Sequence, residues 1–166
     1  VHTDGLHFLV EGPPADMGYL TGAHTSPSER LSGFILPQMG PAYFVVPAFE
    51  APSLPELPEG TMLKTWGETD SPAKLVASIV AASLHSGPGG VNCTIGVGER
   101  MWSVFLLRMQ AELPRASFTL AIAVLSGARQ VKSNDEIEAM KKAGAKSDEA
   151  FAELVKTPFI GKSELE

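Results

Sequence analysis

A single cysteine, Cys93, stands in 166 residues. That count excludes an internal disulfide and fits a reducing, cytoplasmic setting. Long apolar runs are missing too. Tyr43–Val46, Val104–Leu107 and Leu120–Leu125 fall far short of the roughly 20 residues that span a bilayer, so no membrane span is expected. No basic, apolar, small-residue leader opens the chain. Cationic clusters are scarce as well. Lys and Arg number 13 against 19 Asp and Glu, for a formal charge of −6. The nearest approach to a cluster, Lys141-Lys142, reads as the solvated face of a helix. Binding to a phosphate backbone needs clustered cations, so nucleic acid is not an expected partner.

Catalytic motifs are equally sparse. The histidines are His2, His7, His24 and His85, and none has HExxH spacing or a local cysteine or carboxylate in a metal-binding pattern. His7 reads as a strand histidine, His85 as a helix-end histidine facing the dipole, and His24 as a loop residue. Cys93 enters a strand in apolar company and reads as buried rather than nucleophilic. No GxSxG elbow occurs. Gly161-Lys162-Ser163 resembles the end of a phosphate loop, but Lys156 stands where its first glycine belongs. Gly96-Val97-Gly98 lacks the third glycine of a dinucleotide loop. Trp66 and Trp102 read as packing groups. No catalytic residue and no metal ligand is therefore expected in this chain.

What is present is an ordinary globular composition, 44% apolar and 19% charged. Gly5–Val10 reads as a strand that ends in the turn Glu11-Gly12-Pro13-Pro14. Tyr19-Leu20-Thr21-Gly22 reads as a strand-like tetrad before the polar loop Ala23–Glu29. Leu31–Leu36 and Ala42–Val46 flank Pro37-Gln38-Met39-Gly40-Pro41, a hairpin signal. Pro47–Gly60 reads as an exposed connection and Met62–Thr65 as a strand. Ser71-Pro72 starts a helix, with Ser as N-cap and Pro at the first helical position. Leu75, Val76, Ile79, Val80 and Leu84 follow on one face, and Ser86–Gly90 ends the helix. Cys93–Val97 reads as a strand, Met101–Leu113 as an amphipathic helix, and Phe118–Leu125 as a last strand. Strands alternating with helices predict an α/β fold, a mixed sheet flanked by helices.

The pattern changes near Arg129. Ser133 and Glu136 form an S-x-x-E capping box. Ile137, Met140, Gly144, Ser147, Phe151 and Leu154 then recur at helical spacing. This stripe is thin and wants a large partner surface. Thr157–Glu166 reads as a loop leading into a further helix, so the second unit reads as truncated. The carboxylates Glu136, Glu138, Asp148, Glu149 and Glu153 lie mostly on the polar face of the long helix.

Several of these segments together resemble one family. Arg129-Gln130-Val131-Lys132-Ser133-Asn134-Asp135-Glu136-Ile137, with Ala143 and Asp148-Glu149-Ala150, is similar to the domain-junction signature of creatinase/prolidase-type (Xaa-Pro) metallopeptidases. Gly161–Glu166 is similar to the start of the next helix in that family. Tyr19–Gly22, Phe34-Ile35-Leu36-Pro37 and Val45-Val46-Pro47 are similar to the tetrad and hairpin of its N-terminal domain, and Glu50 continues the hairpin. The family usually places a helix before the first strand, which this chain lacks, and Ser126-Gly127-Ala128 replaces bulkier residues.

The resemblance implies a ribonuclease H-like N-terminal domain over residues 1–128, a linker at 129–134, and the start of a metal-binding domain at 135–166. It implies a non-catalytic N-terminal domain of an Xaa-Pro dipeptidase or aminopeptidase, active on peptides through two divalent metal ions (manganese, cobalt or zinc) held outside this chain. It also implies a homodimer formed through the N-terminal domain. Tyr19, His24 and Arg30 are its candidate substrate-side residues, with Arg30 able to clamp a carboxylate in bidentate fashion. The alternative is a metal-free, peptidase-like module that binds protein partners.

Overall fold

The computed structural model describes residues 5–85, 91–156 and 158–163. The chain divides into two compact units, Val1–Ala128 and Arg129–Glu166. The first unit is built on a six-stranded sheet. Its strands are β1 (Phe8–Glu11), β2 (Gly33–Pro37), β3 (Ala42–Pro47), β4 (Thr61–Trp66), β5 (Thr94–Val97) and β6 (Ser117–Leu120), ordered β4-β3-β2-β1-β5-β6. The hairpin is present, since β2 pairs antiparallel with both β1 and β3. The pairs β3–β4, β1–β5 and β5–β6 are parallel. The sheet is thus mixed, and the fold is α/β.

Strand alternation sorts the core onto two faces. Phe8, Val10, Ile35 and Val45 meet Val76, Ile79 and Val80 of α2 (Pro72–Ser83) and Phe105 and Met109 of α3 (Ser103–Glu112). Phe34, Phe44 and Val46 turn the other way, onto Met17 of α1 (Ala15–Thr21). Leu9 meets Leu125 of α4 (Ile122–Gln130) on that same face. Helices α2 and α3 therefore cover one face, and α1 and α4 the other. Ser71 caps α2 by accepting from the Lys74 N–H at 3.3 Å, with Pro72 at the first position. Trp66 is buried and donates its indole N–H to the Leu31 carbonyl at 3.0 Å. Cys93 is a buried free thiol, pushed up from its ordinary pKa by burial. The expected helix end at Ser86–Gly90 lies outside the described residues, as does His2.

Two expectations need correction. Tyr19–Gly22 is not strand-like. It forms the last turn of α1, and Gly22 adopts φ 72° as a left-handed cap whose N–H reaches the Gly18 carbonyl at 2.8 Å. Glycine meets no Cβ penalty in that conformation. The helix is held by Met17, which is fully buried. Nor does the last strand run to Leu125. It stops at Leu120, and the Ala121 N–H closes the ladder on the Val97 carbonyl at 3.0 Å. The chain then folds back, with the Val124 and Leu125 N–H groups donating to the Ala121 carbonyl as α4 begins. Because α4 continues through Gln130, part of the expected 129–134 linker is helical.

In the second unit, α5 (Asn134–Leu154) begins with the complete capping box. Ser133 Oγ accepts from the Glu136 N–H at 3.2 Å, and Glu136 Oε2 accepts from the Ser133 N–H at 2.7 Å. No residue of α5 is buried, and Met140, Phe151 and Leu154 all stand exposed. The ion pairs Glu138–Lys141 and Lys146–Glu149 lie along it. Such exposed pairs add only tenths of a kcal/mol each, about 0.2–0.5. No helix among the described residues is long and apolar enough to cross a membrane.

Candidate functional site

Strands β1 and β5 are parallel neighbours, with Val10 opposite Val97. The chain leaves β1 for α1 on one face of the sheet and leaves β5 for α3 on the other. Such a divergence opens a crevice beyond the carboxyl ends of the strands, where open α/β sheets bind ligands. Here one lip is the turn after β1, with Gly12 and Pro13. The opposite lip is Gly98–Trp102. The Gly98 N–H donates to the Val10 carbonyl at 3.0 Å, and the Met101 N–H donates back to Gly98 at 3.1 Å. Gly12, Pro13, Arg30, Arg100, Met101 and Trp102 line the resulting shallow cleft.

Of the three residues predicted on the substrate side, Arg30 lines this cleft. Its guanidinium pairs with Glu29 at 2.7 Å and Glu68 at 3.3 Å, and sits 5.2 Å from the Phe49 ring centroid. The Glu68 hydrogen bond holds it still further into its charged range. Both partner carboxylates are exposed, and exposed pairs are weak enough to be displaced. Tyr19 and His24 are not among the lining residues. The Tyr19 hydroxyl donates to the Ala128 carbonyl at 3.2 Å, tying α1 to α4. His24 is exposed, and its ring lies against α1 so closely that a Cβ on Gly18 would sit 2.9 Å from Nδ1. His7, expected within the first strand, lies just before β1 and is exposed; its Nδ1 accepts the Thr94 N–H at 3.1 Å.

Two features depart from the sequence reading. Trp102 does pack, stacked on Phe105 at 6.0 Å and 7°. It is also 45% exposed and lines the cleft. Glu11, read from sequence as a turn residue, is the last residue of β1 and only 2% exposed. Its Oε1 has no hydrogen-bond partner. Burial first, then the fields of Asp16 and Glu99, push its carboxyl up to about 8. The signal available in the sequence was its period-two spacing from Leu9, which places it on an inward face.

Among the described residues, no three His, Cys, Asp or Glu side chains come together in a way that could hold a metal ion.

No family model matches the chain. It is 30% identical over 163 residues to a Mycobacterium tuberculosis protein named "Probable dipeptidase PepE", covering 96% of this chain and 41% of that one. The chain therefore spans about two fifths of the curated relatives it matches. The crystal structure of dipeptidase PepE from Mycobacterium ulcerans superposes with a TM-score of 0.75 at 33% identity, over 90% of this chain and 38% of that one. The creatinase/prolidase N-terminal domain of an X-Pro dipeptidase from Streptococcus pyogenes superposes with a TM-score of 0.57 at 16% identity, over 74% of this chain and 88% of that domain. The chain has the creatinase/prolidase N-terminal domain fold and matches the N-terminal part of PepE-like dipeptidases.

Proposed function

We propose that this chain acts as the non-catalytic N-terminal domain of a cytoplasmic, metal-dependent Xaa-Pro dipeptidase. In this reading residues 1–128 are that domain, 129–134 the junction and 135–166 the start of the catalytic domain. The metal ligands and the hydrolytic chemistry belong to sequence outside these residues. The observation that carries the reading is the match of nearly the whole chain to the N-terminal part of PepE-like dipeptidases.

The domain contributes to dimerisation and to the entrance of the active site. Arg30 supports the second role, because its guanidinium lines a cleft, its partner carboxylates Glu29 and Glu68 are exposed, and it lies over the Phe49 ring. A peptide's terminal carboxylate could displace Glu29 and take the same donors. In the full-length enzyme, Arg30→Ala should raise KM for an Xaa-Pro dipeptide about 10-fold or more with kcat nearly unchanged, the signature of lost ground-state binding. An unchanged KM would remove Arg30 from the entrance. Analytical ultracentrifugation of the full-length enzyme should show a dimer that deletion of residues 1–128 dissociates. A dimer that persists without them would remove the domain from the interface.

A further inference from the structure

Glu11 is a polar group sealed between the two lips of the cleft. It ends β1 opposite Phe34 of β2. On its other side lies Gly98, where an added Cβ would overlap the Glu11 carboxyl. A glycine at position 98 is what lets the turn after β5 close over this side chain. The lips come close again just beyond, where a Cβ added at Gly12 would reach ordinary contact with the Met101 methyl at 3.4 Å. The charged groups whose fields reach Glu11 are Asp16 on α1 and Glu99 in the turn, and both are acidic. A buried carboxylate with an unpartnered oxygen and the acidic Asp16 and Glu99 nearby is strongly disfavoured, whereas the neutral acid is tolerated.

We propose that Glu11 is a proton-dependent latch for this cleft: neutral, it lets the Gly98–Trp102 turn close against the end of β1, and ionised, it drives that turn away. The carboxylate needs water, and the Gly98 backbone bars the way. Ionisation therefore separates the lips and carries Arg100, Met101 and Trp102 outward together. The raised carboxyl, at about 8, places the change in the mildly alkaline range. An enzyme carrying this domain would have a wider, more mobile cleft there.

Acrylamide quenching of tryptophan fluorescence in the 166-residue chain tests the latch. Trp66 is buried, so quenching reports mainly on Trp102. Between about pH 6.5 and 9.5 the quenching constant should rise about twofold with a midpoint near 8, and Glu11→Gln should abolish the rise. A flat wild-type profile, or the same transition in Glu11→Gln, would overturn the proposal. Should Glu11→Gln fail to fold, carbon-13 NMR of the glutamate carboxyls in the wild-type chain decides the matter. One carboxyl titrating above about pH 7, together with shifts in the amides of 98–102, supports the latch. All carboxyls titrating below about pH 6 overturn it.

Discussion

The stability of the first unit against pH measures what burying Glu11 costs. In the unfolded chain its carboxyl titrates near the ordinary 4.5, and in the fold it is pushed up to about 8. Between those values the folded state holds more protons than the unfolded state, so stability falls as pH rises. The loss begins near 4.5 and levels off above 8, where the carboxyl ionises in both states. From pH 5 to pH 9 the two values give a loss of about 4 kcal/mol, at roughly 1.4 kcal/mol per pH unit through the middle of the window. Glu11→Gln removes this titration. It also buries an amide with too few partners, which lowers the starting stability by about 1–3 kcal/mol. The slope therefore decides, not the level. The assay is urea unfolding by tryptophan fluorescence at constant ionic strength, wild type against Glu11→Gln, with one curve subtracted from the other. A difference that changes by less than about 0.5 kcal/mol across that range, or with the opposite sign, would refute the reasoning.

Other consequences follow from single contacts. Trp66→Phe leaves the buried Leu31 carbonyl without its 3.0 Å donor and should cost about 1–3 kcal/mol in urea unfolding; a neutral result would mean the hydrogen bond carries nothing. Ser133→Ala removes the acceptor for the Glu136 N–H and should cost α5 about 1 kcal/mol of helix stability. Because α5 buries nothing, that loss should appear as reduced far-ultraviolet circular dichroism, and an unchanged spectrum would contradict it. Cys93 is 4% exposed with its thiol pushed up by burial. It should resist Ellman's reagent in the native chain and react on unfolding, and rapid native labelling would show that the strand opens.

The parts of the fold legible in the sequence are those with a local cause. Ser71-Pro72 fixes the start of α2, the capping box fixes the start of α5, and the glycine and prolines between Leu36 and Ala42 mark the hairpin. The missed parts have tertiary causes. Helix α1 has seven residues and no side-chain N-cap. Burial of Met17 against the sheet stabilises it, and local propensity gives little sign of it. The run Phe118–Leu125 is almost wholly apolar, so periodicity cannot divide strand from helix. The division at Ala121 comes from the end of the ladder with β5. In the cleft, Arg30 was named through the family resemblance rather than from any local pattern, and the structure places it on the lining. Glu11 was not legible, because a carboxyl beside Gly-Pro-Pro reads as a turn, and its burial depends on the distant Gly98.

The chain has the creatinase/prolidase N-terminal domain fold, and the proposal is that the hydrolytic chemistry lies outside it. Proline release from an Xaa-Pro dipeptide, measured with the purified 166-residue chain in excess manganese, tests it most directly. No release above the buffer control is expected, with or without a chelator. Turnover that manganese sustains and the chelator abolishes would contradict it.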